Sequence, residues 1–174
     1  MELTSELTEL QHQILTPFVD ETIETLASMA GLNAHAGEGF PDDVEKFRFK
    51  GYAVVAETSG VIEGVILMHH YVETALGVGN RVLTNLLGEE SNAMEMNDEV
   101  GEALAEFGNT AIGLAMDKLA KTDLGIKFKP PYFISNTTAM DDIIKDVKEI
   151  ISIPIHVDEV GRFYFNYLLH NPTE

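Results

Sequence analysis

One face of the segment Asp98–Leu119 collects side chains that could do chemistry. At about 100° per residue of α-helix, Glu102, Glu106, Asn109 and Gly113 fall within an arc of about 60°. A carboxamide donates and accepts hydrogen bonds at once and does not titrate, so this face suits orienting a bound group rather than transferring protons. A glycine there would let that group come close. The alternative is a solvated face with an indifferent asparagine, which costs a helix at most about 0.7 kcal/mol relative to alanine.

The same segment should fold as one continuous helix. It contains no proline, and Asn97 and Asp98 at its start can cap free N–H groups and suit the positive end of the helix dipole. The residues expected to pack into a core on the opposite side are Val100, Leu104, Phe107, Ala111 and Ala115. The prediction is therefore a helix with one buried side and with Glu106 and Asn109 exposed.

No other stretch of the sequence carries a comparable set of groups. His69 and His70 are adjacent in a strand-like run, and adjacent strand residues point to opposite faces, so they do not readily converge on one metal ion. The segment Gly77-Val-Gly79 lacks the preceding strand-to-helix turn of a phosphate-binding loop. We therefore predict no metal site, and the helix face remains the best candidate for a function.

Composition excludes several classes of protein. The chain of 174 residues has 29 acidic residues against 11 Lys and Arg, a net charge of −18, which argues against binding nucleic acid or an anionic membrane surface. No apolar run approaches the ~20 residues of a spanning helix, and the start lacks the plan of a signal peptide, so we expect a cytoplasmic protein. The absence of cysteine excludes disulfides and thiol catalysis. The length predicts a single domain over residues 1–174.

The elements before the candidate helix divide into a helical region and a hairpin. Residues 3–30 have helical spacing with a break or kink near Pro17, where Thr16-Pro17 is a start signal, and Gly31 ends the helix. Residues 33–46 read as a loop with an edge strand. Two strand-like runs, Tyr52–Glu57 and Val61–Met68, are joined by residues 58–60, which predicts a hairpin. Residues 72–87 return to helical spacing before a glycine, and residues 89–97 form a linker.

The elements after the candidate helix repeat this order. Phe128–Ser135 is a strand candidate interrupted by Pro130-Pro131, which must lie at a strand start or edge. Residues 136–148 contain a helical turn, and residues 150–157 and 162–169 flank a second hairpin turn. Two helix-plus-hairpin halves emerge, which predicts an α+β domain with helices packed on a mostly antiparallel sheet.

Four segments together resemble the CheX/CheC family of chemotaxis phosphatases. The run Glu106-Phe-Gly-Asn109, followed by TAIGLAM, is similar to the E-x-x-N helix of that family. PFVDETIETLASMAG, NLLGEE and IPIHVDEVGRFYFNYLL stand in the same order and spacing as in CheX-type domains, so the resemblance covers nearly the whole chain. It implies one CheX-like domain of CheC-like fold, often a homodimer that pairs its sheets. One departure is Glu102, where the family usually has Asp or Ser.

The resemblance implies a substrate and a role for each residue. The substrate would be a phosphorylated receiver domain of the CheY type, whose aspartyl phosphate and Mg²⁺ supply most of the electrostatics, so the protein would need no cofactor of its own. Asn109 would hold an attacking water in line with phosphorus. Glu106 would pair with a receiver lysine, and Glu102 would supplement that contact. Gly108 and Gly113 would let the receiver backbone come close.

The first helix carries a partial copy of this pattern. Asp20, Glu24 and Ala27 have the spacing of Glu102, Glu106 and Asn109, and CheC-type proteins resemble this with a motif on each of two helices. Because Ala27 has no hydrogen-bonding group, we interpret the first helix as a non-catalytic half. Coincidental spacing remains an equal alternative.

Two further functions stay open. A non-catalytic protein that binds receivers would keep the fold without the activity; the intact Glu106–Asn109 pair argues against it, and the substituted Glu102 argues for it. A flagellar-switch component would share this domain. Such proteins normally append a small C-terminal domain, which we do not expect here because the sequence ends at Glu174 directly after its last predicted strand.

Overall fold

A computed structural model describes residues 8–170 of the chain. Its helices are α1 (Glu9–Thr25, continued by a π-helical turn over Leu26–Ala30), α2 (Val72–Leu87), α3 (Asp98–Ala120) and α4 (Thr137–Ile144). Its strands are β1 (Ala34–Ala36), β2 (Phe40–Asp42), β3 (Tyr52–Gly60), β4 (Gly64–His70), β5 (Ile126–Phe128), β6 (Tyr132–Ile134), β7 (Glu149–Val157) and β8 (Gly161–Leu169). The part of the first predicted helix over residues 3–7 lies outside the described residues.

The strands form one antiparallel sheet that interleaves the two halves of the chain. Its order is β1–β7–β8–β4–β3–β5, with β2 also on β7 and β6 also on β3. The long hairpins β3–β4 and β7–β8 meet along β4 and β8 at the centre. The short strands of each half border the hairpin of the other half, because β1 and β2 pair with β7 whereas β5 and β6 pair with β3. The predicted α+β architecture is confirmed.

Both faces of the sheet are covered. Helices α1, α2 and α3 enclose the larger core, and the segment over residues 43–50 together with α4 encloses a smaller core on the other face. Strand β8 contributes Phe163, Phe165 and Tyr167 to the first core and Leu168 to the second, as its two apolar faces predict. No helix among residues 8–170 is long and apolar enough to cross a membrane.

Helix α1 is not broken at Pro17, where the sequence predicts a break or kink. Thr8 is its N-cap and forms a capping box with Gln11, and the helix runs through Pro17 without ending. Thr16 does not cap a new helix, because its hydroxyl donates to the carbonyl of His12. An internal proline costs a helix about 3 kcal/mol, which burial of apolar side chains on both sides of Pro17 offsets. Gly31 ends the helical region with a φ of 63°, as predicted.

Two strand boundaries also differ from the prediction. The turn between β3 and β4 lies at residues 61–63 rather than at Thr58–Gly60, because residues 58–60 stay extended to pair with β5. In place of the predicted strand Phe128–Ser135 there are two short strands, β5 and β6, with Pro130 and Pro131 between them. Both strands pair with β3. Proline cannot donate to a ladder, so the pairing stops and resumes on either side.

Candidate functional site

Helix α3 has the predicted extent and orientation. The side chain of Asn97 accepts from the backbone N–H of Val100 at 2.9 Å and caps the helix, which runs unbroken over Asp98–Ala120. Leu104, Phe107 and Ala111 are fully buried in the larger core. The helix is therefore fixed along its length with its polar face directed away from the sheet.

Gly108 fixes how close α3 lies to the sheet. A Cβ built on this residue would overlap Cγ2 of Val54 on β3 and lie 3.5 Å from Sδ of Met68 on β4. Gly108 is buried, so the expectation that it faces a receiver backbone is wrong. Its lack of a side chain serves the packing of α3 on β3 one residue before Asn109.

Asn109 is placed differently from the prediction. It is half-buried rather than exposed, and its Oδ1 is fully buried with no hydrogen-bond partner among the described residues. A buried polar atom without a partner costs about 1–3 kcal/mol, so this carboxamide is not there to stabilise the fold. Its hydrogen-bonding capacity is left for a water molecule or a bound group.

Glu106 is exposed, one turn of helix before Asn109. Its backbone carbonyl accepts from the hydroxyl of Thr110 at 2.7 Å, and its carboxylate has no ion-pair partner within residues 8–170. A free carboxylate and a carboxamide therefore stand side by side on α3. Gly113 lies two turns beyond Glu106, half-buried, with nothing within 4 Å of a Cβ built on it, so a partner could approach the helix there.

Glu102 is exposed and lines a groove beside the first half of α3. The groove has a volume of about 460 Å³. We call it the α3 groove, and its lining residues are Tyr52, Met96, Asn97, Asp98, Gly101, Glu102, Ala105, Phe133 and Ser135. The rings of Tyr52 and Phe133 stack with centroids 6.0 Å apart and planes 4° apart. Sequence reasoning missed these aromatics because they meet α3 only through the pairing of β3 with β6.

The exposed face of α1 does not carry the carboxylate and carboxamide pair that α3 carries. Asp20, Glu24 and Ala27 are all exposed on α1, but none of the three offers a carboxamide. The neighbouring Glu21 is nearly buried and pairs with Lys118 of α3, which ties the two helices together. This pairing raises the pKa of Lys118. The acidic face of α1 thus has the spacing of the α3 face without its hydrogen-bonding group.

The two adjacent histidines point to opposite faces of the sheet, as predicted. His69 Nδ1 lies 3.1 Å from Oδ1 of Asn166, whereas the ring of His70 packs on Phe163 and Phe107 in the larger core. Burial lowers the pKa of both rings. Across residues 8–170, no group of three or more His, Asp or Glu side chains could hold a metal ion.

Comparison with known families identifies one match. The family described as "Chemotaxis phosphatase CheX" matches residues 52–156, a range that runs from β3 into β7 and contains all of α3. No curated protein matches the sequence.

Solved structures of chemotaxis proteins share the fold. The chemotaxis protein CheX from Desulfovibrio desulfuricans matches with a TM-score of 0.67 at 20% identity, over 90% of this chain and 99% of that chain. The CheX–CheY–BeF3–Mg²⁺ complex from Borrelia burgdorferi contains a chain that matches with a TM-score of 0.64 at 22% identity, over 91% of this chain and 98% of that one. FliY from Thermotoga maritima matches with a TM-score of 0.64 at 15% identity, over 97% of this chain and 92% of that chain. At these identities the likeness is one of fold.

Proposed function

Because the chain belongs to the CheX family, we propose that it is a phosphatase that hydrolyses the aspartyl phosphate of a CheY-type response regulator in chemotaxis or two-component signalling. The observation that carries this proposal is the carboxamide of Asn109, whose buried Oδ1 has no hydrogen-bond partner among residues 8–170. It stands next to the exposed carboxylate of Glu106 on a helix whose opposite side packs into the larger core. A carboxamide can contribute geometry without titrating.

The proposed reaction needs little from the phosphatase itself. A water oxygen attacks phosphorus in line with the aspartyl oxygen, which leaves as a carboxylate, and inorganic phosphate is released. In this proposal Asn109 positions the water and a phosphoryl oxygen through its carboxamide, and rotation of the amide group brings Oδ1, which is buried here, to the open side where it can accept from the water. The protein has no cofactor of its own in this proposal, and Mg²⁺ is held by the receiver. The solved Borrelia burgdorferi complex contains CheY, BeF3 and Mg²⁺, which supports a receiver partner of this kind.

Glu106 and its neighbours hold the receiver in this proposal. The exposed carboxylate of Glu106 pairs with a receiver lysine beside the phosphate, and Glu102, about 6 Å along the helix axis, adds a second negative charge. The open backbone at Gly113 accommodates the receiver surface beyond Asn109.

The proposed role also bears on cellular location, domain organisation and oligomeric state. A protein that acts on response regulators works in the cytoplasm, as one CheX-like domain. We also propose a homodimer that pairs sheet edges, although each edge of this sheet is built from three-residue strands. Sedimentation equilibrium of the full chain tests that proposal separately, and a monomer at micromolar concentration would contradict it.

The alternative is a receiver-binding protein of the same fold without the activity. The replacement of the family's Asp or Ser by Glu102 supports this alternative. The two functions differ in one observable, because a binder would associate with a phosphorylated receiver without accelerating its decay.

The test compares two alanine variants in a receiver-decay assay. Asn109→Ala should slow dephosphorylation 10²-fold or more, about 2.7 kcal/mol at ~1.4 kcal/mol per decade, while receiver affinity changes little, because the lost interaction acts in the transition state. Glu24→Ala, at the exposed position of α1 that corresponds to Glu106, is the control on the first helix and should retain wild-type turnover. An Asn109→Ala variant as fast as wild type would contradict the phosphatase mechanism.

A further inference from the structure

The α3 groove has the chemistry of a site for a long basic side chain. Tyr52 and Phe133 supply two nearly parallel rings, and Met96 supplies a half-buried apolar side chain beside them. Asp98 and Glu102 are exposed at the same groove, and neither has an ion-pair partner within residues 8–170. An apolar aromatic wall with free carboxylates beside it matches the aliphatic stem and cationic end of a lysine or arginine.

Charge at this end of α3 favours a cation in spite of the helix dipole. The helix N-terminus carries about half a positive charge. Asp98 and Glu102 in the groove and Glu99 beside it bring three carboxylates to the first turns of the same helix, so the local sign is negative. An acidic side chain would meet both these carboxylates and an overall charge of −18. The occupant that fits is a cation.

The groove and the proposed phosphatase site are neighbours along α3. Ala105 and Glu102 line it, and Glu106 and Asn109 follow on the next turns. At 1.5 Å per residue, Asn109 lies about 10 Å along the helix axis from Glu102. A receiver whose phosphate lies at Asn109 would therefore cover the groove with surface adjoining its phosphorylation site.

We propose that the α3 groove is a second docking point for the receiver, which takes up one lysine or arginine side chain from the receiver surface and selects among receivers by that residue. This inference rests on the proposed function and adds a specificity determinant to it. Because the groove is on the order of 10 Å from the reacting phosphorus, its contacts hold substrate and transition state equally. Loss of the groove should therefore raise KM and leave kcat unchanged.

Gly101 offers a way to fill the groove without disturbing the fold. A Cβ on Gly101 would meet only Sδ of Met96, at 3.7 Å, which is an ordinary contact, and replacing a helical glycine improves helix propensity. Gly101→Leu should weaken receiver binding about tenfold and leave kcat unchanged. Its thermal midpoint should equal or exceed that of the wild type. Asp98→Lys should weaken binding through charge, and Glu99→Lys, with the same change in net charge outside the groove lining, is its control.

The experiment measures kcat, KM and receiver affinity for the wild type and these three variants against each phosphorylated receiver of the source genome. Reduced affinity with unchanged kcat in Gly101→Leu and Asp98→Lys, but not in Glu99→Lys, supports the groove. A receiver Lys→Ala or Arg→Ala change whose effect disappears in Asp98→Lys identifies the occupant. If the wild type dephosphorylates a receiver and all three variants bind it equally, the groove inference is wrong and the proposed function stands. A wild type that neither binds nor dephosphorylates any receiver would overturn both.

Discussion

Gly108 of α3 lies against Val54 of β3 so closely that a side chain at position 108 has no room. The approach places α3 on the sheet at the turn that carries Glu106 and Asn109. A helix interior normally disfavours glycine by about 1 kcal/mol relative to alanine. Here the close packing that only glycine allows outweighs that preference, and it links the position of Asn109 to the sheet.

Gly108→Ala should destabilise the protein. The added methyl group overpacks the contact with Val54, at a cost of about 1–3 kcal/mol, which exceeds the gain in helix propensity. Urea unfolding measures the change, and the double variant with Val54→Ala should recover part of it. Gly113→Ala is the matched control, because a Cβ there meets nothing within 4 Å and should stabilise the helix by up to about 1 kcal/mol. Equal effects of the two glycine substitutions would contradict this account.

Local patterns in the sequence were enough to predict α2, α3 and the long strands, whereas α4 was expected only as a helical turn. The apolar spacing of α3 and its cap at Asn97 gave its extent almost to the residue, and Gly88, with a φ of 70°, ends α2 where expected. The errors lie where a distant partner decides the structure. Residues 58–60 have the composition of a turn, but β5 pairs with them and keeps them extended.

The candidate site likewise has features that the sequence predicts and features that depend on tertiary packing. Glu106 and Asn109 are found on one helix face because their spacing is a property of the helix alone. The half-burial of Asn109 and the packing role of Gly108 depend on the distance between α3 and the sheet, which no local pattern encodes. The aromatic wall of the α3 groove depends on Tyr52 and Phe133 meeting across paired strands.

A buried polar network joins the sheet edge to its centre. Because the Asp42 carboxylate can only accept, the Ser152 hydroxyl donates to it at 2.7 Å and accepts from Nδ2 of Asn166 at 2.7 Å. Oδ1 of Asn166 then accepts from His69 Nδ1, 3.1 Å away. The Nε2 atom of His69 lies 3.2 Å from the backbone nitrogen of Lys50 and 2.9 Å from its carbonyl oxygen, so the ring is tied to the backbone of this residue. The network therefore fastens the segment that covers the smaller core.

Ser152→Ala should destabilise this network without touching the candidate site. Ser152 is fully buried, and its loss leaves the amide of Asn166 and the Asp42 carboxylate each short of one partner, which costs about 1–3 kcal/mol. Ser59→Ala removes a hydroxyl from an exposed position of β3 and serves as the control. Urea unfolding of both variants checks the prediction. A Ser152→Ala variant as stable as Ser59→Ala would show that the network contributes little.

The net charge of −18 predicts how association depends on salt. Receivers are expected to be acidic around the phosphorylation site, so long-range repulsion should slow their encounter with this protein. The Debye length falls from about 30 Å at 0.01 M to about 8 Å at 0.15 M ionic strength, so association should become faster over that range. Stopped-flow association rates test this. Rates that fall steeply with salt would indicate a basic partner and would remove the support for a receiver.

His70 is a fully buried histidine without a hydrogen bond. Neither Nδ1 nor Nε2 has a partner among the described residues, and the ring packs on Phe163 at a centroid distance of 4.3 Å. Burial, with a smaller contribution from the charge of His69, lowers the pKa of His70 from 6.5 to about 3. The folded protein therefore holds this ring neutral while the unfolded chain takes up a proton below pH 6.5.

His70→Leu should stabilise the protein, and more so in acid. At neutral pH the substitution removes buried ring nitrogens that lack partners, a gain of about 1–3 kcal/mol. As pH falls from 6.5 towards 3, the unfolded wild type binds a proton at His70 that the folded protein does not, so wild-type stability falls by about 1.4 kcal/mol per pH unit from this group. The variant lacks this loss, so the difference in free energy of unfolding between variant and wild type should widen as the pH falls.

Urea unfolding at pH 7.5, 6.0 and 5.0 measures this difference. The variant His70→Met separates packing from protonation, because Met has a different shape from Leu but should show the same widening. A difference that stays constant across these pH values would mean that the folded protein protonates His70 in place.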